Sequence, residues 1–148
     1  FGLIAPDSIA KASFNAIHML KTLGDERLPV EPQTAPVLAT TKKDGWLILA
    51  VWNYAGEKST GKIRRFKFEI KDLEKYAVGT CRTVNKEHGS AYRVWQSMGS
   101  PTYPTQKQIE ELRKRSAPLI ENFTAENLTF ELQPNELRVI QFFEKAPN

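Results

Sequence analysis

The stretch Trp46-Leu-Ile-Leu-Ala-Val-Trp-Asn-Tyr54 constrains this chain more than any other. Its even positions are Trp46, Ile48, Ala50, Trp52 and Tyr54, and its odd positions include Leu47, Leu49 and Val51. A β-strand sends alternate side chains to opposite faces, so a strand apolar on both needs cover on both sides. Lys43-Asp44-Gly45 ahead of it is a hairpin signal, because such turns need positive φ angles. That turn pairs the strand with Val37 to Thr41, while Pro29, Pro32 and Pro36 punctuate the extended approach. Phe66, Phe68 and Ile70 alternate with Arg65, Lys67 and Glu69, the period of a half-buried strand. Leu128, Phe130 and Leu132 repeat the pattern, Tyr76 to Val84 reads as a further strand, and Pro134-Asn135 turns into a last one from Leu137 to Phe143. Gly56 to Gly61 reads as a polar loop. The expected fold is mainly β: an antiparallel β-sandwich of six or more strands, with an N-terminal helix and a small two-helix insert. Trp46, Ile48, Trp52, Phe66, Phe68, Leu128, Phe130 and Val139 are expected to point into it.

The helices show a different period. After Asp7-Ser8, Phe14, Ile17, Leu20 and Leu23 recur at spacings of three and four, predicting a helix from about Lys11 to Leu23. Ala16 and Met19 widen the stripe, and Gly24 stands where a left-handed cap belongs. This stripe is expected to pack on something large, and the helix to pack back onto the sandwich or to pair with a second copy of itself. In the insert, Ala91, Val94, Trp95 and Met98 share one face, and Gly99-Ser100-Pro101 stops the helix. Thr105 with Gln108 forms a capping box opening a helix to about Ala117.

The 148 residues amount to about one domain, 41% apolar and 26% charged, so disorder and low-complexity structure are excluded. No apolar run approaches the roughly 20 residues of a membrane helix, and no membrane partner is expected. Lys and Arg total 21 against 17 Asp and Glu, a formal charge of +4. The basic stretches, Lys62 to Lys67 and Arg113 to Arg115, are short and interleaved with acids, which reads as solvated surface; no nucleic-acid partner is expected. Compartment is left open.

Reactive groups are few. His18, His88 and Cys81 could compose a nucleophilic pair only if the fold brought them together. No phosphate loop, His-x-x-x-His or Cys-x-x-Cys is present, so neither cofactor nor metal is expected. Asn135-Glu136 has the composition of a glycosidase acid/base, yet it lies in a turn between two alternating strands, where a hairpin is the simpler reading. Trp46, Trp52, Tyr54, Tyr92, Trp95 and Tyr103 could form a sugar-stacking platform, and an exposed row of them would favour an independent carbohydrate-binding module.

The segment Arg82 to Lys114 resembles the C-terminal region of family-39 glycoside hydrolases, the β-xylosidases and their relatives. His88, Tyr92, Trp95, Met98, Gly99, Ser100, Pro101, Pro104 and Thr105 carry the match. FGLIAPDSIAKASFNAIHMLKTLGDERL is similar to that family's last barrel loop and helix, and WLILAVWNY to its central sandwich strand. Gly89-Ser90 and Ala12 depart from the usual Ser-Asn pair and helix-start proline. The resemblance implies that residues 1–25 are the last helix of an otherwise absent (β/α)8 barrel. Residues 26–148 would then be an accessory sandwich whose helical insert spans about 88–118. It implies retaining hydrolysis in a parent enzyme whose two carboxylates lie upstream of Phe1, so no catalytic residue is expected in this chain. The implied partners are the chain's own barrel, a xylo-oligosaccharide or similar glycoside as the parent's substrate, and other subunits of a homo-oligomer. Phe14, Ile17, Leu20 and Leu23 are the candidate contacts; His88, Tyr92, Trp95, Met98, Gly99 and Pro101 are expected to be structural.

Overall fold

The computed structural model describes residues 2–56, 60–77, 79–124 and 128–146. A two-stranded ribbon, β1 (Ile4–Ala5) and β2 (Ile9–Ala10), precedes α1 (Ala12–Leu20). Then come β3 (Glu26–Leu28), β4 (Val37–Thr41), β5 (Trp46–Asn53), β6 (Arg64–Lys67) and β7 (Gly79–Val84). The insert holds α2 (Tyr92–Ser97) and α3 (Gln106–Arg115), and β8 (Leu119–Phe123), β9 (Thr129–Leu132) and β10 (Glu136–Phe143) close the chain. The chain is mainly β. An antiparallel six-stranded sheet, ordered β3-β4-β5-β10-β7-β8, faces the antiparallel two-stranded sheet β6-β9.

β5 lies inside the large sheet and is covered on both faces, as its sequence demands. Leu47, Leu49 and Val51 join Phe66, Leu132, Ile140 and Phe142 in the core between the sheets. Ile48 and Ala50 face the other way and pack with Val139, Val84 and Met19 beneath α1. The expected single inward set is therefore split: Phe66 lies between the sheets, with Phe68, Leu128 and Phe130 half-buried against it, while Ile48 and Val139 lie under the helix. Trp46 is half-buried beside Phe143, and Trp52 is 37% exposed at the uncovered margin of that face. The hairpin at Lys43-Asp44-Gly45 forms, with Gly45 at φ 93° and the Lys42 N–H donating to the Trp46 carbonyl.

Other boundaries differ for identifiable reasons. α1 stops at Leu20, and Gly24 is no left-handed cap; a Cβ there would collide with the Thr41 carbonyl oxygen. Its N–H donates to Thr40 Oγ1 at 2.8 Å, so the glycine permits a close approach to β4. The strand expected from Tyr76 begins at Gly79, with Tyr76 making one isolated bridge to Glu144; residue 78 is outside the described residues. So are residues 57–59 of the expected polar loop. β8 has no counterpart in the sequence reading, because this edge strand exposes Ile120, Glu121 and Asn122 in succession. Pro134-Asn135 turns the chain, with Asn135 at φ 58°, but the flanking strands belong to different sheets. The turn is a crossing between layers, not a hairpin.

Candidate functional site

α1 presents two unlike sides. Toward the sheet it buries Asn15 and Met19, with Ala12 half-buried beside the same core. Away from it, Ile17 is 48% and Leu20 37% exposed. Phe14 is half-buried and stacks on His18 at 6.1 Å, while Leu23 packs against the sandwich core. Of the four residues expected to dock together, Leu23 is thus used internally, and Ile17 and Leu20 carry the free apolar surface. The helix packs back on the sandwich through Met19 and Leu23, which the widened stripe includes, and through Asn15, which it does not.

Asn15 is the residue sequence reasoning missed. Its amide nitrogen donates to the Gly89 carbonyl at 2.9 Å and the Ser116 carbonyl at 2.6 Å. Those carbonyls lie at the two ends of the helical insert, which the Gly89 N–H also closes on the Ala117 carbonyl. A polar residue inside a helical apolar pattern was the available signal, since a buried amide must find partners.

The insert is built from directional bonds. Thr105 and Gln108 form the expected reciprocal capping box at α3. Gly99, at φ 85°, ends α2: its N–H donates to the Gln96 carbonyl and that of Ser100 to the Trp95 carbonyl, a Schellman pattern. This turn brings the Pro101 carbonyl to Trp95 Nε1 at 3.1 Å. Tyr92 stacks on Trp95 at 5.8 Å and is 62% exposed. Met98 is half-buried against the small cluster of Ile9, Ala91 and Leu112. Between the β1-β2 ribbon and the insert this cluster floors a cavity of about 580 Å³.

The reactive groups stay apart. Cys81 points into the core between the sheets, whereas His18 is exposed on α1, across the large sheet. Burial pushes the Cys81 thiol up from its ordinary value, opposed by a weaker contact with Thr83 Oγ1 at 3.9 Å. His88 sits in the loop before α2, its N–H bound to Asn85 Oδ1 and its buried Nδ1 without a partner. Glu87 pairs with Arg93. Glu136 is buried, 2% exposed, at the start of β10. Its Oε2 accepts from Gln133 N–H and Asn85 Nδ2 and its Oε1 from Arg138 Nε at 2.6 Å, so its oxygens are committed to structure. Among the described residues no group of three or more His, Cys, Asp or Glu could hold a metal ion.

Known proteins decide the lineage. The pattern of the family described as glycosyl hydrolases family 39 matches residues 1–131. The chain belongs to that family. It is 33% identical over 112 residues to a β-xylosidase of Geobacillus stearothermophilus, covering 76% of this chain and 22% of that protein. A β-xylosidase of Caldicellulosiruptor saccharolyticus is 29% identical over 119 residues, covering 78% and 24%. The chain thus spans about a quarter of the length of these curated relatives. A crystal structure of a monomeric β-xylosidase from Caulobacter crescentus CB15 superposes on 99% of this chain and 33% of its own, with TM-score 0.73 and 18% identity.

The turn that closes α2 is held by local bonds. Trp95, Gly99, Ser100 and Pro101 make one hydrogen-bonded turn, and Tyr92 rides on its tryptophan. The six aromatics do not form one row. Trp46 is half-buried, Trp52 and Tyr54 are exposed on β5 and just past its end, and Tyr92, Trp95 and Tyr103 gather on the insert.

Proposed function

We propose that this chain is a non-catalytic accessory part of a family-39 glycoside hydrolase with β-xylosidase-like activity. Residues 1–25 contribute the last helix of a catalytic barrel, and residues 26–148 form a sandwich packed beside it. The observation that carries this reading is the apolar outer side of α1, Ile17 and Leu20, left uncovered while the inner side is buried. The occupant is the barrel: about three quarters of each curated relative lies outside the matched segment, which leaves room for a (β/α)8 barrel of some 200 residues or more. Retaining hydrolysis requires two carboxyl groups about 5–5.5 Å apart, one of them kept protonated. Glu136 is locked by three hydrogen bonds, and Glu87 by its arginine.

The test is incubation of the purified chain with an aryl β-xyloside. No turnover is expected, with activity in a longer protein that carries a preceding barrel. Turnover that disappears in Glu87→Gln or Glu136→Gln overturns the reading. Size-exclusion chromatography beside Ile17→Glu separates barrel docking from pairing of copies. A chain that elutes as a dimer, and as a monomer once substituted, assigns the α1 face to a homo-oligomer instead.

A further inference from the structure

We propose that the helical insert is the sandwich's clamp on the barrel: it grips the β1-β2 ribbon and α1, and opens and closes with them as one unit. That the gripped segment belongs to a barrel rests on the reading above; the grip itself lies wholly within this chain. Asn15, buried on α1, donates to the Gly89 carbonyl at one end of the insert and to the Ser116 carbonyl at the other. Arg113 of α3 donates through Nε to the Asp7 carbonyl in the turn of the ribbon, at 2.8 Å. Ile9 of β2 packs with Ala91 and Leu112 of the insert, and Ala5 of β1 joins them.

That small apolar cluster shows to which body the insert is fastened. Among the described residues its members come from the ribbon and the insert, and none from a strand of the sandwich. Toward the sheets the insert narrows instead to a neck, closed by the Gly89 N–H on the Ala117 carbonyl at 2.9 Å. The gripped segment depends on the insert in turn. Asp7 and Ser8 sit at φ 61° and 58°, consecutive left-handed residues without glycine. Such backbone persists only where the surroundings hold it, and Arg113 supplies a hold. α1 spans 9 residues, too few for a stable helix by itself, and an open insert takes both acceptors from its buried amide. Coupling of this kind is reciprocal, so whatever loosens the insert also loosens the ribbon and α1.

Native-state hydrogen exchange at low urea, followed by NMR on the 15N-labelled chain, tests the clamp. The slowest amides of α1, α2 and α3 are expected to merge onto one opening isotherm, below that of β5 and β10. Thr105→Ala then perturbs the insert from within, because among the described residues the Thr105 side chain bonds only to the Gln108 N–H. It should speed exchange about fivefold in α1 as well as in α3, and leave β5 and β10 unchanged. Arg113→Ala changes an exposed side chain, which spares the fold, and should speed both helices by about two- to tenfold. Exchange in α1 that is unchanged in either variant overturns the clamp, as does α1 exchange that follows the sheets. Turnover and chromatography decide the barrel reading separately: turnover by this chain would remove the barrel and leave the grip of the insert on α1 as measured.

Discussion

The sandwich and the helical insert are held by different physics. β5 and β10 pair along their whole length, Trp46 to Asn53 against Phe143 to Glu136, with apolar cover on both faces. The insert's buried apolar cluster is small: Ala91 and Leu112, with Ile9 of the ribbon. Its shape comes from a capping box, a Schellman turn, the Trp95–Pro101 bond and the clasp of Asn15. Area-based stabilisation is spread over many contacts and tolerates small losses; a few oriented bonds do not. The insert is therefore the unit expected to open locally while the sheets stay closed.

The comparison breaks most visibly at its strong end. Phe142→Ala removes a fully buried ring that meets Phe123 edge-on at 5.8 Å, and should cost about 3–5 kcal/mol in urea unfolding followed by far-UV circular dichroism. Asn15→Ala leaves two carbonyls in the neck of the insert without that donor, and about 1–3 kcal/mol is expected. Its signature is local: amide exchange speeds up across α2 and α3 and stays unchanged in β5 and β10. Uniform acceleration would mean that sandwich and insert form one cooperative unit. Thr105→Ala removes the cap acceptor for Gln108 N–H and should cost about 1 kcal/mol, read in the same exchange experiment at the start of α3.

How much was legible follows the same division. Alternation found most long strands because burial imposes a period of two, and the two-sided β5 announced its own central position. The partition of Ile48 and Val139 from Phe66 was not legible, since the pattern says that both faces are covered without saying by what. β8 escaped because this edge strand exposes Ile120, Glu121 and Asn122 in succession, so burial imposes no period of two on it. Gly24 misled through a shared residue type: glycine serves a left-handed cap and a close backbone approach alike, and only the position of β4 decides. In the candidate site the aromatic and turn motifs were visible, but Asn15 acts over 74 and 101 residues of sequence, which no local period encodes.

The smallest expected effect probes the closed state of the sandwich. Cys81 lies between the sheets, where burial raises its thiol above the ordinary value of 9.0. The unfolded chain releases this proton near that value while the folded chain retains it. The contribution is therefore level below pH 9.0, and stability falls as pH rises above it. The fall from this one group is at most about 1.4 kcal/mol per pH unit. Lysines and tyrosines titrate in the same range, so the reading is the difference between the native chain and Cys81→Ala. Urea midpoints should converge as pH climbs from about 8 to about 10.5, because only the native chain carries the penalty. Midpoints that stay parallel mean that Cys81 is already reached by water through an open sandwich. Combining the exchange with Asn15→Ala sharpens the comparison further: the convergence should persist unchanged, since opening the insert leaves the space between the sheets closed.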